Sequence, residues 1–163
     1  MAVKPIPDGY HTVTPYLIVQ SAAKALDFYK NAFGAAEVCR MPGPGGKIMH
    51  AEVKIGDSIV MLGEEPPDKP TLRAPQSAGM QTASLYLYVP NVDTAFKRAL
   101  DAGAKAVQPV TDMFWGDRIA QIADPSGHQW TLATHKEDLT PEEIGRRQKD
   151  FLATMGAQQK KKK

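Results

Sequence analysis

The chain has 163 residues, 42% hydrophobic and 23% charged, the balance of an ordinary soluble globular protein and enough length for one core or two small units sharing one. Its formal charge of +2 includes four positive charges from the Lys160–Lys163 run, so the rest of the chain carries −2; with no basic stripe interleaved with aromatics, nucleic-acid binding is not expected. No apolar stretch approaches the ~20 residues of a membrane span, the opening "MAVKPIPDGY" lacks an apolar h-region, and the single cysteine excludes an internal disulfide and a Cys-rich zinc site. Cytoplasmic residence without membrane contact is the expectation, with Cys39 as a small residue in or near the core.

After an arm over 1–10, the alternating "TVTPYLIV" (12–19) predicts a first strand. In "SAAKALDFYKNAFG" the apolar Ala22, Ala25, Leu26, Tyr29 and Phe33 recur at helical spacing, Ser21 serves as N-cap, and Gly34 stands where the helix must stop. Strands follow over 35–40, 48–55 and 58–62. "GPGGK" (43–47) has no strand-loop-helix setting for a phosphate loop and reads as a hairpin tip. "GEEPPDKPTLRAPQSAG" (63–79), with its four prolines, marks a linker.

The plan then recurs. A strand "TASLYLYV" (82–89) leads into the helix "NVDTAFKRALDAG", capped by Asn91, striped by Val92, Ala95, Phe96, Ala99 and Leu100, and stopped at Gly103; strands follow over 105–110, 118–123 and 128–134. Between the last two, "DPSGH" is a tight turn: Pro125 presets φ, Gly127 supplies a positive φ, and Asp124 can bond back onto the following backbone. "TPEE" (140–143) opens a third helix with Thr140 as cap, Pro141 at the first position and Glu143 closing a capping box; Ile144, Phe151, Leu152 and Met155 form its apolar stripe. Residues 157–163 are expected to form a disordered, solvated tail.

Sliding the chain on itself by 70 residues aligns Thr12 with Thr82, Tyr16 with Tyr86, Leu17 with Leu87, Val19 with Val89, Ala25 with Ala95, Gly46 with Gly116 and Leu62 with Leu132. The caps, turns and strand patterns coincide as well, which marks an internal repeat. The predicted fold is α+β: tandem β-α-β-β-β units over 11–62 and 81–135, a linker over 63–80 and a C-terminal helical extension over 136–156.

The segments "TPYLIV", "AAKALDFYKNAFGA", "HAEVKIGDSIVML", "YLYVPNVDTAFKRALDAGA" and "FWGDRIAQIADPSGHQWTLATH" resemble, in order and spacing, the vicinal oxygen chelate superfamily, which includes glyoxalase I, extradiol dioxygenases, and bleomycin and fosfomycin resistance proteins. The resemblance covers about residues 10 to 135. It implies that each unit curls its sheet into half of an open, barrel-like cavity with helices outside, and that sheet edges are covered by pairing into a homodimer. Enzymes of the superfamily hold a divalent metal through His, Glu or Gln on the first and last strands of each unit, positions that fall here on Thr14, Met61, Ser84 and Thr131. None is a good donor, so no metal and no other cofactor is expected there.

Strand alternation gives an independent inventory of faces. Leu17, Val19, Val60, Leu62, Leu85, Leu87 and Val89 form the set that suits the helices; Thr14, Tyr16, Ile59, Met61, Ser84, Tyr86, Tyr88, Gln129 and Thr131 form the other. In "IMHAEVKI", Met49, Ala51, Val53 and Ile55 would face the helix, leaving Ile48, His50 and Glu52 inside. Such an aromatic, partly apolar set suits an organic-ligand pocket or simply fills a barrel. His50 and Glu52, two apart on one strand and so on one face, could be a base with its orienting carboxylate, a pair of metal ligands, or solvated residues near a sheet edge. His11 precedes the first strand, His128 sits in the turn and His135 follows the last strand, and each is expected to face solvent. In "MFWGDR" (113–118), Trp115 and Arg118 could close over a ligand by stacking and by meeting an anionic or carbonyl group, or Trp115 could anchor the loop. Two functions follow as alternatives: metal-free capture of a small, partly aromatic molecule, or lyase, isomerase or dioxygenase chemistry of the same superfamily through His50 and Glu52, with or without a divalent metal.

Overall fold

The computed structural model describes the backbone of residues 3–160 and the side chains of residues 3–154. The first unit runs β1 (Tyr16–Val19), α1 (Ala22–Phe33), β2 (Ala36–Pro42), β3 (Ile48–Ile55) and β4 (Ser58–Glu64). A short α2 (Pro75–Ala78) lies in the linker. The second unit runs β5 (Ser84–Tyr88), α3 (Val92–Asp101), β6 (Lys105–Asp112), β7 (Asp117–Ala123) and β8 (Gln129–His135), followed by α4 (Pro141–Lys160). Each unit forms its own four-stranded sheet, ordered β1-β4-β3-β2 and β5-β8-β7-β6, with the first and last strands parallel and the other pairs antiparallel. The fold is thus the predicted α+β pair of β-α-β-β-β units, with the two sheets separate rather than closed into one barrel.

The caps explain where the helices begin. Ser21 accepts from the Lys24 N–H and Asn91 from the Thr94 N–H. A second pair comes from the last strand of each unit: Glu64 Oε1 accepts from Ala22 N at 3.0 Å and Thr134 Oγ1 from Val92 N at 2.8 Å. Glu64 and Thr134 are 70 residues apart, as are the groups they cap, so the repeat extends to the way each sheet satisfies its own helix's orphan donors. Through β2 and β3 the spacing is 69, because Cys39 pairs with Glu52 where Gln108 pairs with Gln121.

The units share one core. A single buried cluster runs from Leu17, Val19, Val60 and Leu62 through Leu26, Phe28 and Tyr29 of α1 to Ile122, Trp130 and Leu132 of the second sheet, and α1 packs on α3. The Asp124 turn ties them: Oδ2 accepts from Tyr29 Oη at 2.6 Å and Trp130 Nε1 at 3.2 Å, while Oδ1 accepts from the N–H groups of Ser126 and His128. Burial first, then the Asp124 charge, pushes the Tyr29 phenol well above its ordinary value. The turn also folds back on α2, where Gln76 N donates to Ser126 O. Gly127 has φ 90°, and a Cβ there would lie 2.6 Å from Gln76 N. His128 is consequently only 9% exposed, with Nε2 donating to Ile18 O at 2.8 Å, which corrects its expected solvent position.

The ends of several elements differ from the periodic reading by a residue or more, and β3 carries a bulge. β1 begins at Tyr16 because Pro15 offers no N–H to a ladder. At β3, Pro42 pairs with Ile48 but Met41 with His50, so Met49 is an extra, bulged residue; Ile48 joins the buried cluster and Met49 is exposed, the reverse of strict alternation. α4 continues to Lys160, past the predicted start of the tail at 157, and residues 161–163 of that tail lie outside the described residues. The α4 capping box forms through reciprocal Thr140 and Glu143 bonds. Arg147 reaches Glu137 at 2.8 Å and Phe151 meets Phe114; Leu152 stays exposed, and the side chain of Met155 is outside the described residues. Among the described residues, no helix is long and apolar enough to cross a membrane.

Candidate functional site

The face of each sheet turned away from the helices carries a polar cluster among aromatic rings. On the first sheet, Cys39, Glu52, Met61 and Tyr16 align in one row across β2, β3, β4 and β1. Cys39, partly buried, reaches this face because Val38 is an extra residue in β2: Glu37 pairs with Val53 and Cys39 with Glu52. In the neighbouring row the Tyr16 ring stacks on His50 (centroids 5.8 Å apart, planes at 27°) and covers Gly63, where any Cβ would collide with the Tyr16 hydroxyl. His50 donates from Nε2 to Glu52 Oε1 at 3.0 Å. Tyr10, from the arm, donates its hydroxyl to Glu52 Oε2. Burial pushes the Glu52 carboxyl up, but the bonds from His50 and Tyr10 outweigh it and hold it below the ordinary glutamate value. Burial and then the Glu52 charge push the Cys39 thiol up.

On the second sheet Asp117 is the hub. It is 4% exposed; Oδ2 accepts from Tyr86 Oη and Tyr88 Oη, each at 3.1 Å, and from Trp115 Nε1 at 3.3 Å. His135 Nδ1 donates to Oδ1 at 2.8 Å, and His135 Nε2 to Asp138 at 2.9 Å. Burial raises the Asp117 carboxyl, and the His135, tyrosine and Trp115 donors outweigh it to leave it below the ordinary aspartate value. Burial and the Asp117 bond push the Tyr86 phenol up to about 12, while Asp138 and then Asp117 raise the His135 imidazole. Yet the phenol rings remain open to solvent, Tyr86 48% and Tyr88 62% exposed, with centroids 5.2 Å apart. Trp115 sits in a tight hairpin loop whose Gly116 carbonyl accepts from Lys136 N and Glu137 N. Those bonds tie the loop to the segment after β8.

The remaining predicted residues divide between the faces. Thr14 and Met61 line a cavity of about 370 Å³ against Tyr10 and His11 of the arm, and the Thr14 hydroxyl donates to His11 O. Ser84 and Gln129 line a separate depression of about 200 Å³; Thr131 Oγ1 accepts from Gln121 on the second sheet. Tyr86 and Tyr88 line a cavity of about 440 Å³ between the units, with Val13, Val60 and Trp130. Two hydroxyls engaged by neighbours, a serine and a thioether do not form a donor set for a divalent metal at the superfamily's positions. Arg118 lies on the opposite, helix-facing side of β7, forked onto Asp93 of α3 and bonded to Asp112. Sequence reading missed Tyr10, Cys39, Asp117 and His135. Asp117 and His135 carry a signal, since each continues the concave-face alternation of its strand by one residue; Tyr10 carries none.

Comparison with known proteins agrees with this fold. A sequence profile described as Glyoxalase/Bleomycin resistance protein/Dioxygenase superfamily matches residues 10–132. An uncharacterized protein of Mycobacterium tuberculosis (Rv0887c) is 41% identical over 134 residues, 81% of this chain and 79% of that one. Among solved structures, TioX from Micromonospora sp. ML1 is 31% identical with a TM-score of 0.60, covering 77% of this chain and 98% of its own. A Glyoxalase/bleomycin resistance protein/dioxygenase superfamily member from Sphaerobacter thermophilus is 25% identical with a TM-score of 0.59, covering 76% and 96%.

Proposed function

The chain belongs to the glyoxalase/bleomycin resistance protein/dioxygenase superfamily, and on that premise we propose that it is a cytoplasmic protein that binds a small, planar or partly aromatic organic molecule without metal at the superfamily's four ligand positions. The observation that carries this reading is the half-exposed Tyr86–Tyr88 pair, whose hydroxyls are fixed on buried Asp117 while their faces stay open. Rings held at their polar ends lose little freedom on binding, so more of the stacking energy, about 1 kcal/mol or more beyond area burial for each face, is realised as affinity. Tyr16, 50% exposed on the other sheet, offers a third face. A homodimer would close these open faces, and a dimer in sedimentation at tens of micromolar is the expected state.

The experiment is native mass spectrometry of small molecules that copurify, followed by titration of the one found. Tyr86→Ala and Trp115→Ala are expected to weaken binding about fivefold or more, His50→Ala by less. A loss confined to His50→Ala would overturn the reading. One observation favours a second: Glu52 is buried and receives His50 at 3.0 Å, the geometry of a base and its orienting carboxylate. Under that reading His50→Ala abolishes turnover, by about 10²–10⁴-fold, and leaves binding intact.

A further inference from the structure

We propose that Cys39, His50 and Glu52 form a site for a zinc-class divalent cation, with a fourth coordination position left for a small molecule, on the face of the first sheet turned away from the helices. The site is separate from the aromatic surface of the second sheet, so either can fail without the other.

The donor atoms of these three residues lie within 4.8 Å of one another. Zinc–ligand bonds of about 2.0–2.3 Å at tetrahedral angles hold their donors roughly 3.3–3.8 Å apart. The His50–Glu52 edge is 3.0 Å, so the widest edge has only about an ångström to close, within reach of side-chain torsions. A thiol, an imidazole and a carboxylate are the mixed donors that zinc accepts and that magnesium and calcium, which take oxygen, do not. Three protein ligands with one open position is the pattern of zinc sites that also bind a small molecule.

The surroundings orient the donors. Tyr10 occupies Glu52 Oε2 and leaves Oε1 toward His50, while Tyr16 stacks on the imidazole; such outer contacts set ligand direction. The Val38 bulge is what places Cys39 opposite Glu52. The second unit has the same bulge at Val107, and there the matching positions are Gln108, Gln121 and Ile119. One backbone device thus occurs twice and carries a donor set once. On binding, the ion replaces the Cys39 thiol proton, which leaves to solvent, and the imidazole proton shifts from Nε2 to Nδ1. Thiolate and carboxylate then balance the dication.

The test titrates the metal-stripped full chain with Zn²⁺ by calorimetry and with Co²⁺ by absorption. One ion per chain is expected, and the Co²⁺ form should show tetrahedral d–d bands with a thiolate charge-transfer band. Cys39→Ser should abolish that band, and each of Cys39→Ser, His50→Ala and Glu52→Gln should weaken affinity by at least about tenfold, the order seen when the shell of a metal site is disturbed, while His11→Ala leaves it unchanged. Circular dichroism checks each fold; Cys39→Ser, isosteric and only partly buried, decides by itself if Glu52→Gln does not fold. No binding, or binding whose affinity and spectrum survive Cys39→Ser, overturns the proposal.

Discussion

Asp124 and Asp117 are nearly the same object in two settings. Each is 4% exposed, and each collects tyrosine hydroxyl and tryptophan N–H donors, supplemented by two backbone amides at Asp124 and by His135 at Asp117. They differ in the rings beyond the hydrogen bonds. Tyr29 and Trp130 are buried, so the Asp124 knot ends in the core and joins α1 to the second sheet. Tyr86 and Tyr88 are exposed, so the Asp117 knot ends at solvent. A buried carboxylate with satisfied donors is therefore not by itself a sign of function. What it holds, and whether the held surface remains available, separates scaffold from site.

The largest effect should come from removing each hub. Asp124→Ala leaves two buried ring donors and two turn amides without an acceptor and is expected to cost roughly 3–5 kcal/mol in urea unfolding. Asp117→Ala, whose tyrosine donors can turn to water, should cost under about 2 kcal/mol while loosening the ring pair that binds ligand. Equal losses would break the contrast. A smaller effect is expected from single hydroxyls: Tyr29→Phe should cost about 1–3 kcal/mol because Asp124 loses a buried donor, whereas Tyr86→Phe should stay within about 0.5 kcal/mol.

The smallest effect is in pH dependence, and it has opposite signs on the two partners of the exposed knot. The Asp117 carboxyl lies below the ordinary value of 3.8, so its contribution to stability is present above that pH and is lost as the pH falls through the lower folded value. His135 lies above the ordinary value of 6.5, so its contribution is complete below pH 6.5 and is lost as the pH rises through the raised folded value. An NMR titration of the His135 ring should show the raised midpoint, and Asp138→Asn and Asp117→Asn should each lower it. A midpoint unmoved by both would remove His135 from the knot.

The elements, the repeat and the tyrosine faces were readable in the chain because they rest on local properties. Ser21, Asn91 and Thr140 cap helices wherever the following turn is amphipathic, and Tyr16, Tyr86 and Tyr88 stay in phase with their strands whatever those strands pair with. Alternation holds only while the ladder stays in register, and a single extra residue inverts every face beyond it. That is why Met49 departs from its expected face and Cys39 comes to lie opposite Glu52: the bulges at Val38 and Met49 are properties of a strand pair, and neither strand carries them alone. Distance along the chain hid the rest. Tyr10 meets Glu52 across 42 residues and Tyr29 meets Asp124 across 95, contacts selected by packing the arm on one sheet and α1 on the other. Periodicity and capping act within a few residues, and they suffice for two β-α-β-β-β units with aromatic faces. Which polar groups share those faces follows from register and long-range packing, which arise only when both partners are in place.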